Sequence, residues 1–134
     1  MANTTFTGPV RSENGFEDVT KNATTGAFTT NATYNATITG GVQSLSGAGA
    51  VDLTNLVTEL TTTGANALTL ADGTTSGQVK IVNMIVDGGD GTLTPTTFAN
   101  GTTITFDAVG ESATLVWNSA IGWVATSVNG ATVA

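Results

Sequence analysis

The chain has 134 residues, with three basic side chains against ten acidic ones and a formal charge of -7. It contains no histidine and no cysteine, which excludes disulfide frameworks, thiolate and imidazole metal sites, thiol nucleophiles and imidazole acid–base chemistry. So few cations also argue against a nucleic-acid partner, because phosphate contacts need clustered Lys and Arg.

Only 10% of residues are charged, against roughly 25% in a typical domain. Hydrophobic residues make up 40%, and mean hydropathy is +0.18, values that suit a folded chain rather than an acidic tail. The polar surface must therefore be neutral, and 29 Thr, 11 Asn and 17 Gly can supply it. The opening Met1 to Phe6 lacks the basic and apolar regions of a secretory signal. The longest apolar stretch, Val79 to Val86, is broken by Lys80 and Asn83 and is far shorter than the roughly 18–20 residues of a membrane span. No membrane association is expected.

Residues 1–25 show no clear alternation and read as an extended N-terminal arm, followed by a β-rich domain over 26–134. A soft internal boundary falls near 40–49, where Gly40-Gly41 and the stretch Ser44 to Gly49 are built from small residues. The arm holds Phe6, Pro9, Val10, Arg11 and Phe16. Pro9 removes a backbone donor and disfavours a central strand. The arm could be a disordered terminus, but two Phe would then stand in water. Docking onto a partner, by strand addition or in a groove, would cover them and is the favoured reading.

Further along, Ala32, Tyr34, Ala36 and Ile38 alternate with Thr33, Asn35 and Thr37, predicting a half-buried strand. Leu53, Leu56, Val57 and Leu60 have helical spacing with Asp52 as a candidate N-cap. The β-branched Thr54, Val57, Thr58 and Thr61 to Thr63 favour a strand instead. From Gln78 to Val86 both faces are largely apolar, predicting a central strand covered on two sides. Alternation predicts further strands over Thr102 to Asp107 and Ala113 to Trp117, with 118–122 turning the chain into Trp123 to Val128. Asn129-Gly130 is a strong turn signal, with a short pairing segment after it. Turn signals every 10–15 residues or so indicate an all-β protein, a small antiparallel β-sandwich or barrel-like domain. The middle of the chain lacks aromatics, so its core falls to Leu, Val, Ile and Met. Phe98, Phe106, Trp117 and Trp123 are expected to form the core of the last third.

The chain lacks the common catalytic sequence patterns. There is no Gly-x-Ser-x-Gly and no Ser-x-x-Lys, and only Lys21 and Lys80 could serve a serine as base. Asp72, Asp87, Asp90, Asp107 and Glu111 are conceivable carboxylate pairs, but most sit beside Gly, where Asp caps turns. Asp87-Gly88-Gly89-Asp90-Gly91 does not match a calcium loop, which wants an oxygen-bearing side chain where Gly89 stands. Thr-x-Thr triplets occur without a fixed period and read as solvated strand faces. No enzyme activity, cofactor, metal or catalytic residue is expected.

The stretch Ala67-Leu68-Thr69-Leu70-Ala71-Asp72-Gly73-Thr74 resembles a cassette of virion structural proteins of tailed bacteriophages. The likeness continues through Gly77 to Lys80, Asp87 to Asp90, Thr92 to Pro95, Gly101 to Phe106, Trp123 and Asn129 to Ala131. The opening Thr5 to Phe16 is similar to the start of small phage head-decoration proteins. Together they span somewhat more than half of the chain. The resemblance implies a structural role, a homotrimer, the major capsid protein as partner and a place on the outer capsid surface of the virion. The expected function is thus that of a capsid decoration (cement) protein stabilising the head, with Phe6, Pro9, Val10, Arg11 and Phe16 contacting the shell. The alternative is a head-fibre or tail appendage that binds host-surface carbohydrate or receptor, using an exposed Trp117 or Trp123. Both Trp, however, lie in alternating apolar strands and are expected in the core.

Overall fold

The structure, a computed structural model, describes residues 16–34 and 41–134. The chain divides into two units, Met1–Thr39 and Gly40–Ala134. In the first, β1 (Phe16–Lys21) and β2 (Phe28–Tyr34) pair antiparallel, with a bulge between Asp18 and Val19. Asn22 shapes the connection by accepting from the amides of Thr24 and Thr25 at 2.8 and 2.9 Å. This hairpin straddles the arm boundary expected at residue 25. Of the expected strand 32–38, residues 32–34 belong to β2 and 35–38 lie outside the described residues.

The second unit carries ten strands, β3 (Val42–Ser46), β4 (Gly49–Val51), β5 (Val57–Thr61), β6 (Asn66–Leu70), β7 (Val79–Val86), β8 (Gly91–Pro95), β9 (Ile104–Phe106), β10 (Ser112–Asn118), β11 (Gly122–Asn129) and β12 (Thr132–Val133). They form a front sheet of order β11-β10-β7-β5-β3 and a back sheet of order β12-β9-β8-β6-β4. No helix forms among the described residues. The protein is all-β, as its Thr content and turn spacing predicted, but the sheets are mixed rather than antiparallel and no barrel closes.

The reason lies in the winding. Odd strands β3, β5 and β7 lie in front and even strands β4, β6 and β8 behind, so the chain crosses between layers after every strand. A chain that returns to its sheet only after visiting the other layer re-enters in the same direction, giving parallel pairs. Three coils result, each contributing one front and one back strand. The final strands then fold back antiparallel on both sheets.

Coiling stacks like positions. In front, Leu45 lies beside Leu60 and Leu60 beside Met84. Behind, Leu68 lies beside Leu93, and Leu93 beside Ile104. Apart from the partly buried Leu45, which packs against it, these inward rows form one buried cluster with Val51, Leu70, Val82, Phe106, Ala113, Leu115, Trp117 and Trp123. Burying each large side chain contributes about 1.5–3 kcal/mol. The aliphatic middle and aromatic last third of the core both follow the sequence reading. Trp117 and Trp123 meet edge to face with ring centroids 5.5 Å apart, and Trp123 Nε1 donates to the Ala71 carbonyl at 2.9 Å. On the first coil, the Gln43 carbonyl oxygen accepts from Thr58 Oγ1 at 2.8 Å, and its amide donates to the Ala50 carbonyl at 2.9 Å.

The coils are a repeat that the sequence conceals. Val42 pairs with Val57, fifteen residues on, whereas Val57 pairs with Ile81, twenty-four residues on. The longer second coil includes the loop from Ala71 to Gln78, so no fixed period exists to be found. At the front-to-back corners the coils stack so closely that a Cβ on Gly89 would lie 2.7 Å from the backbone of Gly64. Gly89 also has a φ of 138°, which side-chain-bearing residues rarely adopt.

The ambiguous segment 52–60 is part turn and part strand. Asp52 Oδ1 accepts from the amides of Thr54 and Asn55 at 3.0 and 2.8 Å, closing a local turn, and the strand starts at Val57. Asp52 makes the side-chain-to-amide bonds of a cap, but no helix follows it. The β-branched residues that followed then turned the chain into a strand.

Candidate docking surface

β7 lies at the centre of the front sheet, between β10 and β5. The expectation that it is covered on two sides fails. Lys80, Val82 and Met84 point inward and are buried, whereas Val79 and Ile85 on the other face are 38% and 45% exposed. The β3–β8 coil supplies a layer to only one face of this sheet.

The outward apolar positions continue across the sheet. One row runs Val124, Val116, Val79 through the pairings of β11, β10 and β7. The adjacent row runs Thr114, Ile81, Val57, Val42 from β10 to β3, where Val42 is 53% exposed. Both rows are free of charge. Glu59, in the next row with Ser44 and Asn83, is the outward ionisable side chain of the front strands. The result is an apolar belt across all five strands, exposed at Val42 and Val79 and half-buried at Val57, Ile81, Val116 and Val124. Belts of this kind mark interaction surfaces, because soluble proteins limit contiguous exposed apolar area.

The back sheet shows the opposite character. Ala67, Thr92, Thr105 and Thr132 form one outward row, and Ala50, Thr69 and Thr94 another. The Thr-x-Thr triplet Thr92 to Thr94 therefore faces outward on a strand, as the sequence suggested. Registration between coils, which is invisible in a linear pattern, aligns it with other Thr residues.

Apart from Glu59, the acidic residues of the second unit lie between strands. Asp87 accepts from the Gly89 amide at 2.9 Å, the turn-capping role expected of an Asp beside Gly. Glu111 accepts from the Asp107 amide at 2.7 Å. The Glu111 charge, with burial and the more distant Asp90 and Asp87, pushes the Asp107 carboxyl above its ordinary range. An open depression of about 240 Å³ is lined by Ala65, Asn66, Ala67, Asp90 and Thr92. It is smaller than the roughly 300–1,000 Å³ of ligand pockets, and no aromatic side chain lines it.

One interior cluster was not foreseen. Lys80 is 1% exposed, and its Nζ donates to the Asn55 main-chain carbonyl at 2.8 Å while lying 3.6 Å from Asp52 Oδ1. Asn55 Nδ2 donates to Asp52 Oδ2 at 2.7 Å. Burial drives the Lys80 amine below its ordinary value, and the Asp52 charge offsets this in part. Burial raises the Asp52 carboxyl, but hydrogen bonds from Asn55 and Thr54 and the Lys80 charge outweigh it and hold the group low. The break that Lys80 makes in an apolar run was the sequence signal for this site.

Of the residues expected to contact a shell, Phe6, Pro9, Val10 and Arg11 lie outside the described residues, and Phe16 is described only by its backbone, at the start of β1 opposite Tyr34. Trp123 is fully buried and Trp117 nearly so, hence neither presents a ring face to a sugar. No protein-family model matches the chain, and no curated protein matches it.

Proposed function

We propose that the protein is a capsid decoration protein of a tailed bacteriophage, binding the major capsid protein on the outside of the head as a homotrimer. The observation that carries the assembly is the uncharged belt of Val42, Val57, Val79, Ile81, Val116 and Val124. The belt's occupant is a second copy of this chain. With a charge of -7, copies repel over most of their surface, and only a neutral apolar face lets them approach without opposing like charges. Burial of the belt then supplies the favourable term.

The N-terminal residues Phe6, Pro9, Val10, Arg11 and Phe16 are assigned to the shell, on the strength of the sequence resemblance and of the cost of leaving two Phe in water. Trimers suit the threefold points of an icosahedral lattice, and three linked arms bind with avidity even where each is weak. The two roles separate experimentally. Deleting residues 2–16 should abolish binding to undecorated heads and leave the solution mass, measured by light scattering, at three chains. Continued decoration by the truncated protein would refute the arm, and a monomeric mass for the full chain would refute the belt.

A further inference from the structure

We propose that Lys80 and Asn55 form an intramolecular isopeptide bond, with the Asp52 carboxylate carrying the proton between them. Three observations converge on this cluster. First, a lysine occupies an inward position beside Leu115, where an apolar side chain would fill the space without desolvating an amine. Second, one carboxylate touches both reactants. Its Oδ1 faces the amine at 3.6 Å, and its Oδ2 holds the Asn55 amide nitrogen at 2.7 Å. Third, the amine is already bonded to Asn55, through the main-chain carbonyl at 2.8 Å. That oxygen is four bonds from the side-chain Cγ, so the amine rests on the same residue as the carbon it would attack. Gly41 abuts the Asn55 carboxamide so closely that a Cβ there would collide with Oδ1.

The chemistry balances without oxidant or cofactor. The neutral Lys80 amine attacks Asn55 Cγ and a C–N bond forms. Asp52 accepts the amine proton and passes it to Nδ2, the Cγ–Nδ2 bond breaks, and ammonia leaves. Burial favours the uncharged, nucleophilic form of the amine. The Asp52 side chain is 31% exposed, which gives ammonia a way out. The product would tie the turn between the first and second coils to β7 of the third, a covalent staple in a chain without cysteine.

Intact-mass measurement of the full chain tests the bond. The wild type should be one ammonia lighter than its sequence requires, and proteolysis should release a branched peptide joining residues 55 and 80. K80M should have full mass and a lower unfolding midpoint, since Met fills the same volume but cannot react. N55D should lose water instead and reach the mass of the linked wild type. A wild type at full mass overturns the proposal. So does an ammonia loss that persists in K80M, which would come from succinimide at the Asn-Gly pairs beginning at Asn14, Asn100 or Asn129.

Discussion

The two outer faces of the coil are built on the same plan and ask different things of their surroundings. The front carries Val42, Val57, Ile81, Val79, Val116 and Val124, whereas the back carries Ala50, Ala67, Thr69, Thr92, Thr94, Thr105 and Thr132. Both lie over one shared core. Val and Thr have nearly the same shape and both favour strands, so the faces differ mainly in hydration. A hydroxyl keeps water at the back face, and a methyl in its place releases water at the front. The fold can therefore hold one surface in solvent while offering the other for burial, with no change to the backbone.

The sharpest way to break this comparison is to charge each face equally. V42D/V79D should weaken self-association roughly a hundredfold, the loss expected from two anchors at about 1–2 kcal/mol each. T69D/T94D adds the same charge to the back face and should change association by less than about twofold. Light-scattering mass across a dilution series measures both. If the two variants behaved alike, net charge rather than the belt would govern assembly.

Core truncation should ignore the distinction. L60A lies under the front sheet and L68A under the back, both essentially buried, and each should cost about 2–5 kcal/mol in denaturant unfolding. Because the rows form one cluster, both variants should unfold in a single transition.

G89A tests the corner that joins the faces. Its unusual φ and the approach of Gly64 make a loss of about 2–3 kcal/mol the expected result.

The smallest effect concerns Asp107. Its carboxyl is raised above the ordinary value, chiefly by the Glu111 charge. The folded state therefore binds more protons than the unfolded one between those two values, and stability falls as pH rises through the window. D107N should flatten that fall and slightly raise the unfolding midpoint at neutral pH, with the gain shrinking in high salt. Thermal scans at acid and neutral pH, with and without salt, read the sign directly.

Much of this was legible in the residues. Ala113, Leu115 and Trp117 alternate with polar or outward neighbours and are buried, and the turn over 118–122 delivers Trp123 into the core. Asn129-Gly130 turns with Gly130 at a φ of 77°, and the short β12 follows. The belt was half visible, as an apolar face on Val79 to Val86 that was assigned to a buried layer. Periodicity reports that a face is apolar but not what covers it. Lys80 was visible only as an interruption, because nothing local reveals that Asn55 and Asp52 come to meet it across two elements.

The sequence by itself determined the all-β class, the strand and turn positions of the last third, the neutral surface and the lack of imidazole and thiol chemistry. These follow from side-chain type and from spacings within a few residues. Only the tertiary structure decided that the strands coil between two layers with parallel neighbours, and that Val42, Val57, Val116 and Val124, from four other strands, join Val79 and Ile81 of β7 in one belt. Those outcomes depend on register between segments up to thirty-seven residues apart, and unequal loops leave no trace of that register in a linear pattern.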